Sequence, residues 1–300
     1  MKQKLVLFIL LLTLLGANYA SAHNFFVNIT ESMAHPPGSI VANIGWGHAM
    51  PMDDFLQGDM LDTYAIYDPG LKKMDFPFSP DTNKAAGGNE GKSTANFPGG
   101  KMLAGDAYAR KVLFNENSPQ GTYQIAASIK KTQFAVWTDQ QGREKWGRKT
   151  LDQIKDAKEV KLCWRFQSFA KAFVPVGAWS EPKPVGHDLE MIPLTDLSKV
   201  RVGDEVEFKV LMLGQPLEAD FSSGLPVLEA YGEQYGADGN YGLQGRISKG
   251  IAKIRVTAPG KWLATVRMRK PVTKEDGPAE LVGKALEVGY NTTVTFFVRQ

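Results

Sequence analysis

One cysteine in 300 residues, Cys163, rules out an internal disulfide, so packing has to hold the folded state. Its neighbours Val160, Leu162 and Trp164 are apolar, which reads as a buried, inert thiol rather than a nucleophile. Charge of one sign is also missing. The 35 Lys and Arg against 32 Asp and Glu leave a formal charge of +3, too even for a surface that binds nucleic acid or anionic membrane. No Gly-x-Ser-x-Gly occurs, so the strained-turn serine of a hydrolase is absent. Paired cysteines and His-Glu-x-x-His are absent too, which removes the usual zinc signatures. Segment 87–93 comes near a phosphate-binding loop, but its first glycine is one position out of place and no strand-then-helix pattern flanks it.

What the chain does have is a succession of short runs rich in Val, Ile, Phe, Tyr and Thr, separated by Gly, Pro and Asn. That is the pattern of an all-β protein. It predicts strands over 25–29, 39–46, 64–67, 107–114, 122–129, 133–137 and 162–173, then over 189–194, 205–213, 226–230, 251–257, 262–268 and 292–298. A short helix is expected after Thr150, where Thr150 and Gln153 have capping-box spacing. Segment 83–106 reads as a long glycine-rich surface loop, 231–242 as a Tyr/Gly-rich loop, and 175–184 as a Pro-rich linker. The expected architecture is two β-sandwich domains of immunoglobulin-like size, 23–185 and 186–300, joined by that linker.

Residues 1–22 read as a secretory signal peptide: Lys2 and Lys4, an apolar run over 5–15, then Ala20-Ser21-Ala22. The run is shorter than the roughly 20 residues of a membrane span, so no membrane insertion is expected. No cysteine at the cut means no lipid anchor. The expected location is the periplasm or the outside of the cell. Cleavage after Ala22 would make His23 the first residue, with an α-amine and an imidazole able to close one chelate ring. Deprotonating that amine at neutral pH costs only about 1 kcal/mol.

The second histidine lies in Gly45-Trp46-Gly47-His48-Ala49-Met50-Pro51-Met52-Asp53-Asp54. Continued as a strand, it would turn His48, Met50 and Met52 to one face, although Pro51 makes it an edge or a loop. Imidazole suits nickel, copper and zinc, and thioether suits monovalent copper; the two methionines serve equally well as core filler. A hairpin of 25–29 with 39–46, turning at His35-Pro36-Pro37-Gly38, would bring His48 back beside His23. His35 itself reads as an exposed turn residue, and Asp53-Asp54 as solvated loop charges. His187, at the end of the linker, can reach a site between the domains.

His23-Asn24-Phe25-Phe26, Gly45-Trp46-Gly47-His48 with Pro51 and Asp53, the run from Gly186 through His187 to Leu194, Val202-Gly203-Asp204 and Gly214-Gln215-Pro216-Leu217 together carry a resemblance. They resemble an uncharacterised family of exported bacterial proteins that accompany nickel and cobalt uptake transporters and are described as nickel-transport accessory subunits. The resemblance covers nearly all of the chain after residue 22. It implies His23, His48 and His187 as metal ligands, Asp53 as an orienting or fourth group, nickel or cobalt as the ion, and a membrane metal-uptake transporter as the partner. It implies delivery of the ion rather than catalysis. Two other readings stay open from the residues alone: a histidine-brace copper protein, either an oxidative enzyme or a copper carrier, and a structural or adhesion module without metal.

Overall fold

Alternation along the strands decides which faces are buried. In Glu205–Met212, Val206, Phe208 and Val210 are buried while Glu205 and Lys209 reach solvent, giving one dry and one wet face. The computed structural model describes residues 23–32, 37–79, 95–102, 105–218, 227–235, 242–275 and 277–300. The leader, His35 and segment 87–93 lie outside the described residues.

The fold is all-β, as expected. Its strands are β1 (Asn24–Ser32), β2 (Ser39–Gly47), β3 (Leu61–Tyr67), β4 (Lys73–Asp75), β5 (Ala95–Phe97), β6 (Gly100–Met102), β7 (Arg110–Leu113), β8 (Gly121–Ile129), β9 (Thr132–Asp139), β10 (Glu144–Gly147) and β11 (Ala157–Val176). They continue with β12 (Leu189–Pro193), β13 (Glu205–Met212), β14 (Gln215–Pro216), β15 (Val227–Gly232), β16 (Leu243–Ser248), β17 (Ile251–Arg255), β18 (Gly260–Pro271) and β19 (Glu287–Val298). The expected helix is a single 3-10 turn, Leu151–Gln153, where Gln153 Oε1 accepts the Thr150 N–H at 3.0 Å. No helix among the described residues is long and apolar enough to cross a membrane. Segment 83–106 is a correction: within it β5 and β6 pair as a hairpin, Ala95 against Met102. The glycines there form its turn instead of preventing a strand.

One large sheet runs in the order β12-β13-β17-β16-β15-β18-β19-β11-β8-β3-β4, with β9 and β10 attached along the first half of β11. A smaller sheet, β1-β2-β7, lies over it. Between them is one core, built from Phe25, Val27, Ile44, Tyr64, Ile125 and their neighbours. The second core packs Val206, Phe208 and Val210 against Trp262, Ala264 and Val294. Strand β11 serves both. Ala170, Ala172, Val174 and Val176 face the first core, and Phe169 and Phe173 the second, as a period of two requires. The expected boundary at 185 falls between the cores, yet hydrogen bonding crosses it, because β11 and β19 pair in parallel from Trp164↔Glu287 to Ala172↔Thr295.

The linker starts later than its composition suggests and is tied down. Pro175 and Val176 still pair with β8. Beyond them Ser180 and Thr122 exchange two bonds of 2.9 Å, and Gln124 Nε2 donates to Lys183 O at 2.8 Å. Just past residue 184, the N–H groups of Val185, Gly186 and His187 point at the carboxylate of Glu190. That carboxylate also lies 2.7 Å from the Lys171 ammonium, with both side chains out of water. Burial opposes the charge on Glu190, but Lys171 and the backbone donors hold its pKa below the ordinary value.

Candidate functional site

The β1–β2 hairpin forms in the register Asn24↔Gly47 to Ser32↔Ser39, so the start of β1 meets the end of β2. His23 and His48 are the next residues out on each strand. Their ring centroids are 4.4 Å apart at 42°, and His23 also stacks on Trp46 at 5.3 Å, nearly parallel.

Past β2 the chain makes a tight loop. Gly47 has φ +125, and a Cβ there would overlap Asp53 Oδ1, so the turn needs glycine. Asp53 Oδ1 accepts the N–H groups of His48 at 2.6 Å and Ala49 at 3.2 Å, closing the loop, and Pro51 O accepts Asn28 Nδ2 at 2.9 Å. The chain then returns to β2 through the Trp46↔Asp54 bridge. Each carboxylate meets one ring: Asp54 Oδ2 is 3.4 Å from His23 Nε2, and Asp53 Oδ2 is 3.5 Å from His48 Nδ1. The two aspartates are therefore not idle loop charges, because the loop curls and turns both toward the histidines.

The profile of a family described as a domain of unknown function, DUF4198, matches residues 20–270. The chain belongs to the DUF4198 family. Comparison with curated proteins gives no match. The DUF4198 match takes in both histidines, both aspartates and β11, and ends inside β18.

In this DUF4198 chain the remaining expected residues sit elsewhere. The ring of His187 stacks on Phe169 at 4.7 Å, on the face of β11 opposite Phe166 and Ser168, while His23 shares a groove with Phe166 and Ser168. His187 is thus on the other side of the sheet from His23. Burial, and then the nearby Lys171, lower its pKa to about 4, and its Nδ1 is buried without a hydrogen-bond partner. Met50 does not turn to His48 but packs against Phe26, Tyr231 and Leu263, because β2 ends at Gly47 and the alternation ends with it.

Burial, followed by the neighbouring His48, lowers the pKa of His23 more than Asp54 and Asp53 raise it, favouring the neutral imidazole that metals require. Burial pushes the Asp53 carboxyl up, but the N–H groups of Ala49 and His48 and the His48 ring hold it below its usual value. Among the described residues no three His, Cys, Asp or Glu side chains form a ready ligand cluster. The donors here are two imidazoles, each with a carboxylate at one nitrogen, the arrangement that orients metal-bound histidines. The carboxylates stand at Nε2 of His23 and at Nδ1 of His48. Two imidazoles fit a metal only if something adds a third donor.

The start of β1 is anchored to the C-terminal half. Asn24 Nδ2 donates to Tyr231 Oη at 3.1 Å and Arg267 Nη2 donates to Asn24 Oδ1 at 2.6 Å. A separate hollow of about 470 Å³ opens at the far end of β1, around Ile29, Thr30 and Glu31, and none of the candidate residues lines it.

Proposed function

We propose that this chain is an exported carrier of a divalent transition-metal ion, nickel or cobalt, that serves a membrane uptake transporter and catalyses no reaction. The ion would be held by the α-amine and Nδ1 of His23 and by Nε2 of His48, with Asp54 and Asp53 orienting the two rings. The observation that carries this reading is the 4.4 Å approach of the His23 and His48 rings at the residue where the leader is expected to be cut. Transport as the purpose rests on the resemblance alone.

One observation also favours copper. Asp54 stands at Nε2 of His23, which leaves Nδ1 to close a six-membered ring with the amine, the donor set of a histidine brace. Copper binds most nitrogen sites more tightly than nickel does. The test is to purify the protein from the exported fraction, determine its first residue by intact mass, and measure its metal content by elemental analysis. One nickel or cobalt per chain starting at His23 supports the carrier. One copper, with oxygen consumed in the presence of a reductant, supports an oxidative enzyme. A chain starting elsewhere, or holding no metal, sinks both.

A further inference from the structure

The covering sheet stops short of one end of β11. It buries the face that carries Ala170, Ala172 and Val174, but further back the same face carries Trp164 and Phe166, which are only partly covered. The uncovered part is a groove of about 400 Å³ whose lining includes His23, Trp46, Phe134 and Trp146. That volume suits a small molecule. Trp164 can lie flat against β19 because Gly289 is beneath it, where a Cβ would come within 2.6 Å of the ring. Trp164 stacks with Phe166 at 5.0 Å, and Phe134 meets Trp146 at 6.4 Å. Trp146 is 51% exposed, a large apolar surface left in water beside a ready-made aromatic floor.

The charges in the groove are unequal. Arg148 is paired with Asp59, Arg267 with Glu229, and His23 with Asp54. Arg269, exposed and 4.2 Å above the Trp164 ring, has no carboxylate partner among the described residues. A neutral ligand would leave this guanidinium unpaired. A carboxylate would meet it as a charge-assisted, two-pronged acceptor.

We propose that the groove binds a small organic anion with a flat apolar body, its carboxylate on Arg269 and its ring against the Trp164–Phe166 and Phe134–Trp146 pairs, and that this anion supplies further donors to an ion held at His23 and His48. The second half rests on the metal reading above; the first does not. The ion would then be carried as a complex with an organic acid rather than bare.

The probes are pyridine-2-carboxylate, which can chelate, and pyridine-4-carboxylate, which has the same shape and charge but cannot. With the metal-free full chain, calorimetry and tryptophan fluorescence should show both isomers bound with similar affinity. Arg269→Gln and Trp146→Ala, both at exposed positions, should each weaken both isomers about tenfold. Loading nickel should tighten the 2-isomer and leave the 4-isomer unchanged, and His48→Ala should remove that difference. Failure of both isomers to bind, or binding indifferent to the two groove substitutions, overturns the groove even if nickel binds. Nickel bound with no difference between the isomers, or nickel stripped off by the 2-isomer, overturns the shared coordination and leaves the metal reading intact. Isomers bound but nickel refused sinks the metal reading, and the shared coordination with it, while the groove stands.

Discussion

At His23 and His48 the contribution of each side chain can be separated. Asp54 Oδ2 stands at Nε2 of His23, away from the proposed ligand atom, while its Oδ1 accepts the Phe55 N–H. Asp54→Asn should therefore weaken nickel binding by about 10- to 100-fold, the usual loss for an orienting carboxylate, while leaving the stoichiometry at one. One residue added ahead of His23 displaces the amine but keeps the ring, and should cost as much affinity as His48→Ala in calorimetry. Unchanged affinity in the extended chain would remove the amine from the site. His187 belongs to stability. Its folded pKa of about 4 lies below the ordinary histidine value, so above pH 6.5 both states are neutral and it costs nothing. As pH falls from about 6.5 to 4 the unfolded chain gains a proton that the folded chain refuses, and stability should drop by about 3 kcal/mol. Urea melts across that range should show this slope, and His187→Phe, which keeps the stack on Phe169, should flatten it. The pairing of His23 with His48 was legible from the hairpin's turn. The approach of Asp54 to His23 was not, because β2 ends at Gly47 and a loop with no period to read carries Asp54 there.

Among the elements, β11 and the linker behind it carry the most consequence. Lys171 and Glu190 are wholly buried and bonded to each other, so Lys171→Met would leave a buried carboxylate without its counter-charge. A loss of about 3–5 kcal/mol in urea denaturation is expected. Pairing it with Glu190→Leu should not restore the loss, since the N–H groups of Val185, Gly186 and His187 would then lose their acceptor. Recovery in the double variant would show that the linker finds other partners. Strands with alternating apolar residues, such as β13, could be read directly. Strand β16 could not, because one of its two buried positions is Gly245, which leaves no apolar alternation to detect. Strands β4, β5, β6, β10 and β14 are two to four residues long, too short for a period. The linker was legible as composition, but the bonds that hold it come from residues about 60 positions earlier.

Across the whole molecule, two cores share one strand, and the expected division at 185 assigns that strand to one side. A fragment 186–300 leaves β19 without β11 and its core without Phe169 and Phe173, whose burial contributes about 1.5–3 kcal/mol each. It should therefore melt at a lower temperature than a fragment beginning at Ala157, as read by circular dichroism. Equal melting temperatures would place the boundary at 185 after all. The outer edge of β1 shows how closely distant parts of the chain depend on each other. Its carbonyls at Phe25 and Val27 take hydroxyl hydrogens from Thr293 and Thr295 on β19, 268 residues away. A strand made early thus waits for one made much later. Until β19 docks, β1 has one side unsatisfied, so the hairpin that brings His23 beside His48 gets its last backbone partners only when the final strand of the chain closes on it.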